Sequence, residues 1–190
     1  MFGSTEIPDL IDDNNFTYKK RNYLISDITA LRYKRESVKS SIYFIPINTS
    51  DDLEFTIEFS NNEKLNIKES IKGENKVLLE FFDYIRENSF QNRILKYVTT
   101  LEKDKCFTYN NIFFHENGDI VQNNKKFNIK ENGVRFGYEP FTLTVVPKQG
   151  FFEGIFNNKK IQVEINNDMD CFMVLMNKLY SIDWSTLRQL

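Results

Sequence analysis

The sequence predicts an α+β, mostly β protein with two similar halves, and three observations lead to this prediction. Apolar and polar residues alternate strictly over 53–60, as is typical of a half-buried strand. After Gly73 the apolar spacing changes to three and four residues, which indicates a helix. The order of strands followed by a helix then recurs, and the triplet Phe-Thr-Tyr begins both halves, at 16–18 and 107–109.

The first half contains six candidate strands. Residues 1–15 are expected to lack regular structure, because Pro8 and several aspartates interrupt any period. Pro46 confines its own strand to an edge, an end or a bulge. Asn61-Asn62 has the composition of a hairpin turn. The strands are expected at 16–18, 21–25, 28–33, 42–47, 53–59 and 65–67.

Two helical segments are predicted to close the first half. Apolar residues at Val77, Phe81 and Ile85 share one helical face. Ser89 has the side chain of an N-cap and predicts a break there, followed by a second helix that ends near Glu102. We therefore expect a first domain over 1–103 and a second over 104–190.

The second half is predicted to contain more strands and one helix. Asn110-Asn111 suits a two-residue turn of the kind favoured in tight hairpins. A helix is expected over 168–180, with Asp168 at its start, where a negative charge favours the helix dipole. The strands are expected at 106–109, 112–115, 119–122, 127–129, 134–137, 141–146, 151–156 and 160–165.

Composition excludes several classes of function for a chain of 190 residues. It has one histidine and two cysteines, too few for a zinc site of several imidazoles or four thiolates and for a disulfide framework. Neither a phosphate-binding glycine loop nor a serine-nucleophile motif is found. We predict no cofactor, no metal ion and no catalytic residues.

Charge and hydropathy predict where the protein is found. The 25 basic and 27 acidic residues give no basic excess, so direct nucleic-acid binding is not expected. No apolar run is long enough to span a membrane, and the first residues lack the pattern of a signal peptide. These features predict a cytoplasmic protein.

One pair of residues has the chemistry of a nucleophile and its base. If Asn110-Asn111 is a two-residue turn, Cys106 lies opposite His115, within about 5 Å at Cβ. A thiolate beside an imidazole is a nucleophile, and a Cys106-dependent hydrolase is one hypothesis. The hypothesis that we favour makes both of them residues of the more polar face of this hairpin.

Three segments carry a resemblance to a known family: 42–48 (Ile-Tyr-Phe-Ile-Pro-Ile-Asn), 90–97 and 168–172. The chain resembles a loosely defined family of uncharacterised bacterial proteins with two pleckstrin-homology-like modules in tandem. Each half resembles a roll or sandwich of about seven strands closed by a C-terminal helix. The resemblance implies binding of peptides, proteins or lipid heads rather than catalysis.

The leading functional hypothesis is that the chain is a protein-binding module, and its most specific form is that the chain is an immunity protein. Such a protein would bind and block a toxin used in contact-dependent competition between bacteria. One alanine against 22 asparagines indicates an AT-rich gene, a character common on mobile islands. A negative surface would suit a basic toxin domain such as a nuclease. The residues expected to bind this partner are Asp51, Asp52, Glu54, Phe151, Phe152, Glu153 and Trp184.

Each of these residues also has a structural interpretation. The acids suit solvated turns and strand faces, 151–156 suits a buried strand, and Trp184 suits packing against the second half. The alternative function is a peripheral lipid- or phosphate-binding module. Its basic residues would be Lys19, Lys20, Arg21, Arg32, Lys34, Arg35 and Lys39.

Overall fold

The computed structural model describes residues 8–42, 45–71, 76–138, 141–146, 160–182 and 184, and at 35–42, 45–52, 69–71, 76 and 138 only the backbone is described. The protein is α+β and mostly β, with 47% of its residues in strands. Its four small antiparallel sheets do not close into a barrel in the described ranges. The predicted fold class is therefore confirmed. The chain divides into two compact units, Met1–Arg93 and Ile94–Leu190.

The first sheet of the first unit contains a strand that the sequence did not predict. Its strands are β1 (Asp9–Asp12), β2 (Asn15–Tyr18) and β3 (Arg21–Leu24), in that order across the sheet. The expectation that 1–15 lack regular structure is wrong over β1. This strand has no apolar alternation of its own, and its extended conformation comes from antiparallel pairing with β2. A 3₁₀ turn, Ile25–Asp27, follows β3.

The second sheet consists of β4 (Ile28–Ile42), β5 (Ile45–Phe59) and β6 (Lys64–Ile71), with β5 in the middle. The single strand expected over 42–47 is wrong, because Ile42 ends β4 and lies opposite Ile45 of β5. A run of β-branched and aromatic residues fits either one continuous strand or two strands joined by a hairpin turn, so composition alone does not distinguish the two. Pro46 lies at the end of β5 beside a register shift, as its missing N–H requires.

The core of the first unit forms between β5 and a helix. The alternating residues Leu53, Phe55, Ile57 and Phe59 are all buried, which confirms the predicted half-buried strand. Helix α1 (Lys76–Asn88) packs against them, and the rings of Phe55 and Phe82 lie 4.3 Å apart. The helical face predicted from its spacing is confirmed at Phe81 and Ile85, which are buried, but is wrong at Val77, which is 57% exposed.

The break between helices occurs at Ser89, but this residue does not act as the predicted cap. Its buried hydroxyl donates to the carbonyl of Ile85 and accepts from the Nε of Arg93 at 2.9 Å. The buried Arg93 also donates to the carbonyl of Arg86. Helix α2 (Phe90–Asp104) begins in the first unit and continues in the second, whereas the sequence analysis places it wholly in the first.

In the described ranges, the second unit has two further sheets, most of α2 and one further helix. The first sheet has the strand order β10, β9, β8, β7, and the second has the order β11, β12, β13. The strand predicted over 151–156 lies outside the described residues. The elements are β7 (Cys106–Tyr109), β8 (Ile112–His115), β9 (Asp119–Gln122), β10 (Lys125–Asn128), β11 (Gly133–Tyr138), β12 (Phe141–Val146), β13 (Ile161–Glu164) and α3 (Met169–Tyr180).

The two Phe-Thr-Tyr segments occupy equivalent places in the two units. Each forms the first strand of a hairpin, and its phenylalanine, Phe16 or Phe107, is fully buried. Both hairpins turn through two residues of positive φ, 49° and 62° at Lys19-Lys20 and 46° and 62° at Asn110-Asn111.

A helix phenylalanine packs on each of these hairpins. Phe81 of α1 lies 5.2 Å from Phe16, and Phe172 of α3 lies 6.4 Å from Phe107, both measured between ring centroids. Each hairpin phenylalanine also stacks on the residue opposite it, Tyr23 or Phe114. The predicted turn at Asn110-Asn111 and its register are therefore confirmed, whereas the turn at Lys19-Lys20 was not predicted.

Neighbouring phenylalanines of β8 test the assignment of its two faces. We expect Phe114→Ala to lower the free energy of unfolding by about 3–5 kcal/mol, because Phe114 is fully buried. The matched control Phe113→Ala, whose side chain is 46% exposed, should change it by at most about 0.5 kcal/mol. Urea unfolding followed by circular dichroism measures both, and equal losses would contradict the assignment.

Candidate functional site

The predicted acidic surface lies on the middle strand of the second sheet. Asp51 and Asp52 belong to β5, where only their backbone is described. Glu54, on the polar face of β5, forms an ion pair of 3.0 Å with Lys68 of β6. Lys34 of β4 lies opposite Glu54 on its other side. The charge of Glu54 is therefore compensated within its own sheet.

The same face carries basic residues of the alternative hypothesis. Arg32 and Lys34 are exposed on β4, next to the acids of β5. Glu58 of β5 forms an ion pair of 2.6 Å with Lys64 of β6. Acids and bases thus alternate across the three strands, and the described side chains of this face form neither a purely acidic nor a purely basic surface. At Arg35 and Lys39 only the backbone is described.

Only one aromatic residue of the predicted partner-binding surface lies within the described residues. Phe151, Phe152 and Glu153 lie outside the described residues. Trp184 packs against the second unit, where its ring centroid lies 4.7 Å from that of Phe136. Its indole N–H donates to the carbonyl of Met173 at 2.9 Å. Of the two roles considered for Trp184, the structure therefore shows the packing role.

Cys106 and His115 lie directly opposite each other, as the predicted turn requires. Both are partly buried, and the free thiol belongs to the more polar face of the hairpin. The carbonyl of His115 accepts a hydrogen bond of 2.7 Å from Tyr180. Within the described ranges, no group of three or more His, Cys, Asp or Glu residues has the arrangement of a metal site.

Asp168 directly precedes α3, as the sequence predicts, but it is buried and does not cap that helix. Its side chain is 1% exposed, and it makes no capping hydrogen bond to α3. One carboxylate oxygen accepts from Lys96 at 2.6 Å and from the hydroxyl of Tyr97 at 3.0 Å. Asp168 therefore joins the start of α3 to α2.

This polar network continues to the turn between β7 and β8. The hydroxyl of Tyr109 donates to the carbonyl of Asn167 and accepts from its N–H at 3.1 Å. Asn110 donates from its amide to the carbonyl of Glu164 at 2.6 Å. Its amide oxygen accepts from the side chain of Asn167 at 2.9 Å. The turn is thereby fixed to the segment between β13 and α3.

The tyrosines of this network act as hydrogen-bond donors. Burial raises the pKa of Tyr97, and the charge of Asp168 raises it further. Burial also raises the pKa of Tyr109 far above its usual value. Neither phenol is suited to be a base at neutral pH, and both make hydrogen bonds within the second unit. The sequence signal was ambiguous, because Asn166-Asn167-Asp168 has the composition of an ordinary turn.

A different surface combines apolar exposure with negative charge, and the sequence analysis missed it. Leu10 and Ile11 are adjacent on β1 and are 43% and 54% exposed. Asp9 and Asp12 flank them, and all four residues of the strand are exposed. We call these four residues the β1 edge. Sequence reasoning overlooked it because it treated 1–15 as irregular.

The negative charge at the β1 edge is held in place by local hydrogen bonds. The carboxylate of Asp12 accepts from the N–H of Asn14 at 2.8 Å and from the side-chain amide of Asn15. These bonds, the first above all, lower the pKa of Asp12. Asp13 follows in the chain and lies 3.3 Å from the hydroxyl of Tyr84. Asp12 therefore stays ionised in neutral and mildly acidic solution.

Comparison with known proteins finds no match to this chain among protein-family models, curated proteins or solved structures. The likeness to a tandem pleckstrin-homology-like family therefore stays a prediction. As for membranes, no helix in the part of the chain that the structure describes is both long and apolar enough to cross one.

Removal of the buried carboxylate tests the role of the Asp168 network. We expect Asp168→Asn to lower the free energy of unfolding by about 1–3 kcal/mol, because Lys96 and Tyr97 lose a charged acceptor. The control Asp83→Asn breaks an exposed pair with Arg86 and should change stability little. Thermal and urea unfolding measure both variants, and similar effects would contradict the structural role.

Alkaline titration tests the buried tyrosines. The pKa values of Tyr97, Tyr109 and Tyr180 lie above the usual 10.0 in the folded protein, chiefly because of burial. Stability is therefore unaffected below about pH 10 and falls as pH rises further, because the unfolded chain ionises first. Absorbance at 295 nm should show these phenols ionising only as ellipticity is lost. Ionisation of all nine tyrosines near pH 10 in a folded protein would refute this.

Proposed function

We propose that this protein is a non-enzymatic binding protein whose partner is another polypeptide. In its sharpest form the proposal is an immunity protein that binds a toxin domain and blocks it sterically. The observation that supports the proposal is the β1 edge, where two adjacent aliphatic side chains are exposed between acids.

The exposure of Leu10 and Ile11 on an edge strand is unusual. Edge strands are ordinarily protected by charged side chains, by lysine above all, as β10 is by Lys125 and Lys126. Burial of one aliphatic side chain contributes roughly 1.5–3 kcal/mol, so a partner that covers both gains substantial affinity. Leu10 and Ile11 form a small exposed apolar patch, with acids on both sides as its polar rim.

The charge of the β1 edge favours a basic partner. Asp9, Asp12 and Asp13 are clustered in sequence, and the segment from Pro8 to Tyr18 contains no basic residue. Opposite charge on the partner would accelerate association and fix its orientation. A toxin that acts on nucleic acid carries a basic surface for phosphate contacts, which suits this edge.

Affinity capture from the native host tests the proposal. We expect wild-type protein to retain one stoichiometric polypeptide, and Leu10→Ser/Ile11→Ser to bind the purified polypeptide at least about tenfold more weakly, because the apolar contact is lost. The control Val77→Ser/Leu95→Ser removes two other exposed aliphatic side chains, on α1 and α2, and should bind as the wild type does. Unchanged affinity of the first variant, or failure to capture any polypeptide, would contradict the proposal.

The turn between β2 and β3 favours a second candidate, binding of phosphate groups on lipids or soluble ligands. Lys19 and Lys20 both adopt positive φ, where asparagine or glycine is favoured, as in the equivalent Asn110-Asn111 turn. The adjacent Arg21 is exposed but forms an ion pair of 3.7 Å with Glu63, so the two lysines are the cations that the hairpin tip presents. Lysine has no conformational advantage there, so its charge is the feature that a function would use.

Replacement by asparagine separates conformation from charge at this turn. Lys19→Asn/Lys20→Asn should stabilise the fold by up to about 1 kcal/mol per position, because asparagine tolerates positive φ better. If the second function operates, the same variant loses salt-sensitive binding to phosphatidylserine vesicles in a sedimentation assay. No binding of wild-type protein to these vesicles, or equal binding of the variant, would exclude that function.

A further inference from the structure

We propose that the β1 edge binds an extended, basic segment of the partner by strand addition, so that the segment becomes a fourth strand of the first sheet. This inference rests on the proposed function and specifies how the partner is recognised. It concerns backbone pairing along β1, with side-chain contacts to the four residues of the β1 edge.

The position of β1 in its sheet is the first argument. β1 is the terminal strand, and it pairs antiparallel with β2, where Asp9 lies opposite Thr17 and Asp12 opposite Asn15, with a register shift between Leu10 and Asp12. In the part of the chain that the structure describes, no strand pairs with its other side. The outer N–H and C=O groups of such a strand are a template for another strand.

The distribution of exposed side chains favours the edge over a flat face. Leu10 lies opposite the buried Phe16, on the core side of the sheet, and is nevertheless 43% exposed. Asp9 and Asp12 lie opposite the partly exposed Thr17 and Asn15, on the outer side. Both sides of β1 are thus accessible. A partner that lies alongside the strand contacts both sides, whereas one that lies on a face contacts only one.

The other edge strands support the distinction. Among the described residues, β1 is the only edge strand with two large exposed apolar side chains. The edge strands β4, β6 and β10 each present exposed basic residues, for example Lys34, Lys64 and Lys126. Lysine is the residue that most opposes addition of a strand to an edge, and it would also repel a basic segment. β1 instead combines an apolar centre with an acid at either end.

Asp9 and Asp12 also indicate what kind of segment would pair with β1. In an antiparallel pair of two β1 strands, Asp9 of one copy would lie opposite Asp12 of the other, and like charges in this position are destabilising. A second copy is therefore disfavoured. A segment that alternates basic and aliphatic residues would place cations next to Asp9 and Asp12 and apolar side chains next to Leu10 and Ile11. Its backbone would supply the hydrogen bonds that such complexes use for affinity.

Synthetic peptides test strand addition directly. The probe is a short capped peptide of alternating lysine and valine, and its control is the same peptide N-methylated at every inner amide. Methylation keeps the charges and side chains and removes the backbone donors. A glutamate and valine peptide controls for charge. Binding to the full chain is measured by fluorescence anisotropy at low and moderate salt, and amide hydrogen exchange is measured at residues 9–12.

We expect the lysine and valine peptide to bind and to slow exchange at β1. The methylated peptide should bind at least about tenfold more weakly, and the glutamate peptide should not bind. Leu10→Ser/Ile11→Ser should weaken binding of the unmodified peptide, whereas Val77→Ser/Leu95→Ser should not. Equal binding of the methylated peptide, no binding of the unmodified one, or protection of residues other than β1 would overturn strand addition.

The proposed binding function and the proposed strand addition can be refuted independently of each other. If a host polypeptide is captured through Leu10 and Ile11 but methylation leaves peptide binding unchanged, strand addition is wrong and the binding function stands. If no polypeptide is captured while the peptides behave as expected, the edge accepts a strand but the proposed function is wrong.

Discussion

A phenylalanine of a helix, packed on the phenylalanine that begins a hairpin, is the contact on which each unit depends. A two-stranded hairpin is at best marginally stable in water, and it becomes stable when one of its faces is covered. Phe81 covers Phe16 in the first unit, and Phe172 covers Phe107 in the second. In the first unit, the covered hairpin also holds the exposed edge, because β1 pairs with β2.

The sequence predicts those strands and helices whose own residues carry the periodic pattern. The alternation of Leu53 to Phe59 specifies a strand wherever its partners lie, and the spacing of Val77, Phe81 and Ile85 specifies a helix. β1 and the division between Ile42 and Ile45 were missed because they are defined by pairing with another segment. A four-residue strand between acids has no signal except its neighbour in the sheet.

The candidate site shows the same limit for polar residues. The sequence predicts a helix-start acid at Asp168 and a solvated acid at Glu54, because the identity of a residue does not reveal its partner. Asp168 is buried because Lys96 and Tyr97, on a helix distant in sequence, supply a cation and a donor. Glu54 is compensated because strand register places Lys68 next to it. Charge in a sequence becomes surface charge only when the fold leaves it uncompensated, as at β1.

The tight turn at Lys19-Lys20 affects how readily proteases can cleave the chain at that position. Three successive basic residues are sites for a trypsin-like enzyme, yet such enzymes need several residues in an extended conformation to enter the active-site cleft. A two-residue turn with both residues at positive φ, held between paired strands, does not offer that conformation. Cleavage there requires the hairpin to open first, so its rate reports the local opening of the first sheet.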